Sequence, residues 1–156
     1  MAKFCLPTTA TTTTDLENFV NKLNLNCKIY MKNEICGMKI DVNQSAIINL
    51  QSTGQRGSHW VCAIRTENEH IYFDSFGLPP PRVIVNYLRS TPVVYIKRNS
   101  IVVQHYESQI CGSLCLYVIN QIFAGESFGK ILLCLRERFE NKTKSLCLGE
   151  INLHNN

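Results

Sequence analysis

The sequence contains no apolar run long enough to cross a bilayer, whose core takes roughly 20 consecutive apolar residues in a helix. It also lacks the apolar h-region of a secretory signal, because the opening stretch MAKFCLPTTATTTT holds a single lysine and a threonine-rich tract. These two absences predict no membrane partner and the reducing interior of a cell as the compartment. There is no CxxC pair, and the CxxxC formed by Cys111 and Cys115 has no second Cys or His pair at zinc spacing. Structural zinc is therefore not expected. Eight cysteines could supply a disulfide framework, but Cys62, Cys115 and Cys134 lie inside apolar segments, where free cysteine acts as a small buried hydrophobe. The pattern argues against such a framework. Charge of one sign is also scarce. Sixteen basic and 12 acidic residues leave a net charge of +4, which permits weak attraction to nucleic acid without demanding it. The basic residues are scattered except for Arg136, Arg138, Lys142 and Lys144, which read as the solvated face of a terminal helix.

What is present is a globular balance, 45% hydrophobic and 18% charged, in 156 residues. That length suits one domain. The expected division is a flexible leader over 1–14 and a single domain over 15–156. Thr14 and Glu17 form a T-x-x-E capping box, followed by Leu16, Phe19, Val20 and Leu23 at helical spacing. Residues 24–45 read as irregular. Short apolar runs at 46–50, 59–64, 71–74, 93–96 and 101–103 predict five strands, with a glycine-containing loop over 51–58, a hairpin turn over 65–70 and a short helix near 83–88. After Gly112 the pattern turns helical and apolar nearly all round, which predicts a buried helix, and a last helix covers about 128–141. No internal repeat is visible. Helix, then strands, then helices gives an α+β fold: a central mixed sheet flanked by helices, with a cysteine at the N-terminus of the buried helix.

That cysteine, Cys111, is a candidate nucleophile. A thiol is mostly protonated at neutral pH, and both a helix N-terminus and an imidazolium favour the reactive thiolate. Gly112 beside it would leave room for a substrate carbonyl. Four histidines could serve as the base. His154 lies in a polar tail, His70 in a turn, and His105 has no orienting acid nearby in sequence. His59 opens an apolar strand, and Asp74 ends the next one. A hairpin would bring the two to one end of the sheet, where the carboxylate can accept the imidazole N–H and hold one tautomer. The oxyanion would be met by the Cys111 N–H and by a side-chain amide, with Gln104 preferred over the competing Gln109. Each residue also has a plain structural reading: a core cysteine, a strand-start His-Trp, a turn-forming aspartate. The order of the set carries the argument, not any member.

The ordered set Gly57-Ser58-His59-Trp60, Phe73-Asp74-Ser75-Phe76-Gly77 and Gln104-x6-Cys111-Gly112 resembles the adenovirus endopeptidase (adenain) family of cysteine proteases over most of residues 15–123. The resemblance implies a papain-like site with His first and Cys last in the chain. It implies cleavage of viral precursor polypeptides after glycine-containing sites during virion maturation, in the virion and in the host nucleus or cytoplasm. Proteases specific for SUMO and other ubiquitin-like proteins share this order and are the alternative; a non-catalytic binding module on the same fold is a third reading. Trp60 is expected to wall a narrow tunnel for glycine, with Gly112 on the substrate side. The chain is short after the nucleophile helix. The family's activating peptide is disulfide-linked through a cysteine whose place falls at Val93, which cannot form that bond. The sequence requires no cofactor, and activation by a peptide or by DNA, which the resemblance also implies, stays open.

Overall fold

The computed structural model describes residues 4–51, 59–89 and 95–148. Its centre is a five-stranded mixed sheet in the order β2-β3-β4-β5-β6, built from β2 (Cys27–Met31), β3 (Gln44–Asn49), β4 (Trp60–Arg65), β5 (His70–Phe73) and β6 (Ile96–Arg98). The inner pairs β3–β4 and β4–β5 are antiparallel, whereas the edge strands β2 and β6 each run parallel to their neighbour.

Side chains alternate across a strand, so each one feeds two layers. Ile47, Cys62, Ile64, Ile71 and Phe73 point into a core shared with helices α1 (Thr13–Lys22), α3 (Cys111–Phe123) and α4 (Phe128–Glu140). Ala46, Ile48, Val61, Ala63 and Tyr72 point the other way, onto helix α2 (Arg82–Leu88) and the residues around a one-turn 3-10 helix at Lys32–Ile35. Helix α3 is apolar nearly all round because it lies inside the first of these layers, with Leu114, Cys115, Leu116, Val118 and Ile119 all fully buried. Each such Leu or Ile contributes roughly 1.5–3 kcal/mol by leaving water. The expected α+β architecture, with the cysteine at the start of the buried helix, is the one observed.

Several local expectations are corrected. The capping box of α1 is Thr12 with Asp15, one half-turn before Thr14 and Glu17: Thr12 Oγ1 accepts the Asp15 N–H (3.1 Å) and Asp15 returns the bond to the Thr12 N–H (2.9 Å). The threonine tract offers both frames, and the earlier one adds helical hydrogen bonds while burying the same Leu16 and Val20. Residues 4–14 are not a frayed leader. Strand β1 (Phe4–Leu6) pairs antiparallel with β7 (Leu146–Leu148), burying Leu6, Leu146 and Leu148 in the α3 layer. Cys5 and Cys147, directly opposite in that pair, form a disulfide, so one cystine exists where none was expected. Two three-residue strands 142 positions apart leave no periodicity to read. Within the stretch taken as irregular, β2 is a half-exposed edge strand. Of the expected strand over 93–96, Ile96 opens β6 (Ile96–Arg98), and positions 93–94 lie outside the described residues. Residues 101–103 form no strand. Their backbone groups bind a neighbouring loop, as described next.

Candidate active site

The β4–β5 register ends with Cys62 opposite Phe73, so the start of β4 and the end of β5 lie at one edge of the pair. His59 sits just before β4, its carbonyl accepting the Leu50 N–H (3.0 Å) and its ring stacked on Phe76 with centroids 4.9 Å apart. Asp74 sits just after β5. His59 Nε2 lies 2.8 Å from Asp74 Oδ1, and the same oxygen accepts the Phe76 N–H (2.9 Å). Asp74 is 1% exposed, and its second oxygen is buried without a hydrogen-bond partner among the described residues. A buried carboxylate so placed stays tied to the one group that can satisfy its charge, the histidine ring.

Asn99 fixes the aspartate from behind. Its Oδ1 accepts the Asp74 N–H (3.1 Å), while its Nδ2 donates to the Asp74 carbonyl (2.6 Å) and to the Ile101 carbonyl (3.1 Å). The Val103 N–H donates to the Ser75 carbonyl (2.9 Å). Gly77, at φ +71°, makes the approach possible, since a Cβ there would stand 2.7 Å from the Ser100 carbonyl oxygen. The loop carrying the acid and the loop carrying Gln104 are thereby one unit. Gln104 is buried in it: its Oε1 accepts the Ser75 hydroxyl, and its Nε2 donates to the Ser108 carbonyl (2.7 Å). The Ser108 carbonyl, which can only accept, sets which end of the amide is which, and one Nε2 hydrogen is left over. Gln109 is exposed.

Cys111 is the first residue of α3, where backbone N–H groups have no partner within the helix. Its sulfur accepts the backbone N–H of Trp60 (3.4 Å) and lies near enough to the His59 ring to act on its charge. Burial opposes charge on that ring, but the Asp74 carboxylate and the Cys111 sulfur outweigh it and push the His59 pKa up to about 9. The structure therefore gathers Cys111, His59 and Asp74 at one end of the sheet. Cys115, one turn along α3, is fully buried; burial first, then neighbouring Cys62, pushes its thiol up, as suits a packing residue. His105 stacks on Phe139 instead (4.4 Å).

Trp60 and Gly112 meet a segment that the sequence assigned to the leader. Trp60 Nε1 donates to the Thr11 carbonyl (3.2 Å), and Ser113 Oγ donates to the Pro7 carbonyl (2.7 Å). A Cβ on Gly112 would stand 2.1 Å from Thr11 Oγ1 and 3.3 Å from Trp60 Cδ1. Packing of residues 7–11 against the start of α3 thus supplies its own reason for a glycine at 112. Asn99, Ser75 and Thr11 escaped sequence reasoning because nothing in composition or spacing marks them. Only Ser75, within the Asp-Ser-Phe-Gly stretch, lay inside a motif already singled out.

No family model matches the sequence, and no curated protein matches it. Solved structures do. The crystal structure of ASFV pS273R protease aligns with a TM-score of 0.51 at 17% identity, covering 83% of this chain and 64% of that one. Its selenomethionine form gives 0.50 at 16%, covering 83% and 65%. The chain spans just under two thirds of the length of the structures it matches. At that identity the likeness is one of fold: this chain shares the α+β architecture of a viral protease.

Proposed function

We propose that this chain is a cysteine endopeptidase in which Cys111 is the nucleophile, His59 the base and acid, and Asp74 the group that orients the ring. One observation carries the reading: a sulfur at a helix start beside an imidazole whose far nitrogen is held at 2.8 Å by a buried carboxylate. With its pKa near 9, the ring is a cation at neutral pH, and an imidazolium is the group that stabilises a thiolate. The thiolate attacks the scissile carbonyl carbon. The oxyanion that forms is met by the Cys111 N–H and the remaining Gln104 amide hydrogen. His59 then gives its proton to the leaving amine, and the C–N bond breaks to leave a thioester. A water, deprotonated by His59, hydrolyses the thioester and restores the thiol pair.

The shared fold with a viral protease and the resemblance to the adenovirus endopeptidase family support a polypeptide substrate of viral precursor type, cut after glycine. Trp60, held on Thr11, supports a narrow approach in which a bulky residue next to the scissile bond would clash. Activation by a disulfide-linked peptide stays unsupported with Val93 in the linking position. The same residues would serve a protease acting on ubiquitin-like proteins, so the substrate panel includes one. The test is digestion of a glycine-centred peptide library, a viral-type precursor and a SUMO conjugate by the wild type and by Cys111→Ala. Cleavage by the wild type is expected to fall on the order of 10⁶-fold in kcat in the variant. Undiminished cleavage by Cys111→Ala would refute the assignment. Iodoacetamide at pH 6 is expected to label Cys111 ahead of the exposed Cys36 and Cys134.

A further inference from the structure

Three of the four clustered basic residues near the end of the chain do not simply face solvent. Arg138, Lys142 and Lys144 line a cavity of about 500 Å³. Its lining also includes Gln104 and Ile110, the amide assigned to the oxyanion and the residue that immediately precedes Cys111. The cavity therefore adjoins the place where a scissile carbonyl would lie. No acidic side chain among the described residues lines it.

The charges are built in to different degrees. The Arg138 guanidinium is pinned by backbone carbonyls, its Nε donating to Ser145 (3.1 Å) and its Nη2 to Lys144 (2.7 Å). Those acceptors are neutral, so its charge remains uncompensated. Lys142 is held by a left-handed backbone (φ +52°) with its N–H on the Phe139 carbonyl (3.2 Å). Neither Lys142 nor Lys144 forms an ion pair among the described residues, although Arg136 pairs with Glu140 and Lys130 with Glu126 nearby in the chain. Three like charges around one concavity repel each other unless something negative enters.

We propose that this cavity is a subsite for an acidic side chain of the polypeptide substrate, a few residues from the scissile glycine; the proposal rests on the endopeptidase reading above. A pocket of this volume has room for a substrate side chain together with the backbone that carries it. A nucleic acid would need a longer track of cations than three residues in one hollow supply.

The test separates pocket from chemistry. Fluorescein-labelled glycine-centred peptides, carrying Asp, Ala or Lys at each position from four before to four after the glycine, are titrated against Cys111→Ala by polarisation. The same peptides are turned over by the wild type and by Lys142→Glu/Lys144→Glu. Expected is one position at which Asp binds and reacts about fivefold better than Ala, with Lys worst, an advantage that shrinks at 0.5 M NaCl. In the double variant the preference reverses to Lys, while the all-Ala peptide is cut at the wild-type rate. Equal affinity for Asp, Ala and Lys at every position overturns the proposal. So does an Asp preference that survives the double substitution. So does a labelled 20-base-pair DNA whose binding is lost in the double variant while peptide preference stays unchanged. If no peptide is cut by the wild type yet the Asp preference in binding holds, the endopeptidase reading fails and the pocket stands.

Discussion

The two faces of the central sheet are made by the same strands, residue by residue in alternation, yet they do different work. The face toward α3 packs Ile47, Cys62, Ile64, Ile71 and Phe73 against the helix that starts with Cys111. The face toward α2 packs Ala46, Ile48, Val61, Ala63 and Tyr72 against Ile84, Tyr87 and Leu88 and holds no candidate catalytic group. The difference teaches where chemistry enters such a fold. It enters where strands end beside a helix N-terminus, because chain direction changes there, N–H groups are unpaired, and polar side chains find partners without opening the core.

Losses on the α3 side should be losses of rate. Asp74→Asn, read as kcat on a glycine peptide, is expected to cost roughly 10⁴-fold, since the amide can no longer hold the ring in its charged form. Gln104→Ala should cost about 10²–10³-fold. Ser75→Ala should lower kcat by less than Gln104→Ala, and a Ser75→Ala/Gln104→Ala enzyme should be no slower than Gln104→Ala alone. Additive losses would mean that Ser75 does not act through the amide.

Proton linkage sharpens the contrast. His59 has a folded pKa of about 9 against roughly 6.5 for an unfolded histidine, so the folded state binds the extra proton. The stability this confers is complete below pH 6.5 and is lost as pH rises through 9. Urea midpoints of the wild type should fall over that window, and those of Asp74→Asn should fall less. Activity should hold through neutral pH and decline near pH 9 as the imidazolium is lost. On the α2 face, Ile84→Ala should cost roughly 2–5 kcal/mol of stability by leaving a cavity. Its kcat per folded molecule and its pH profile should not move. A changed profile would erase the distinction between the two faces.

The inner strands, α3 and α4 were legible because each carries a long enough apolar pattern with turn residues at its ends. The proximity of His59 to Asp74 was legible because hairpin logic brings them together, and the place of Cys111 because helix-start chemistry marks it. What escaped was everything made by partners distant in the chain. Asn99 grips Asp74 across 25 positions, and Ser113 reaches Pro7 across 106. The frame of α1 was ambiguous for another reason, since a run of threonines offers two equivalent caps.

By itself the sequence determined which segments bury which faces and that a cysteine would begin a buried helix, because periodicity and helix-end chemistry act over a few neighbouring residues. Only the tertiary structure decided that β1 and β7 pair and are joined through Cys5 and Cys147, that Thr11 lies against Gly112, and that Arg138, Lys142 and Lys144 gather beside Gln104. Such contacts depend on where whole elements come to rest, and that follows from packing of the complete core.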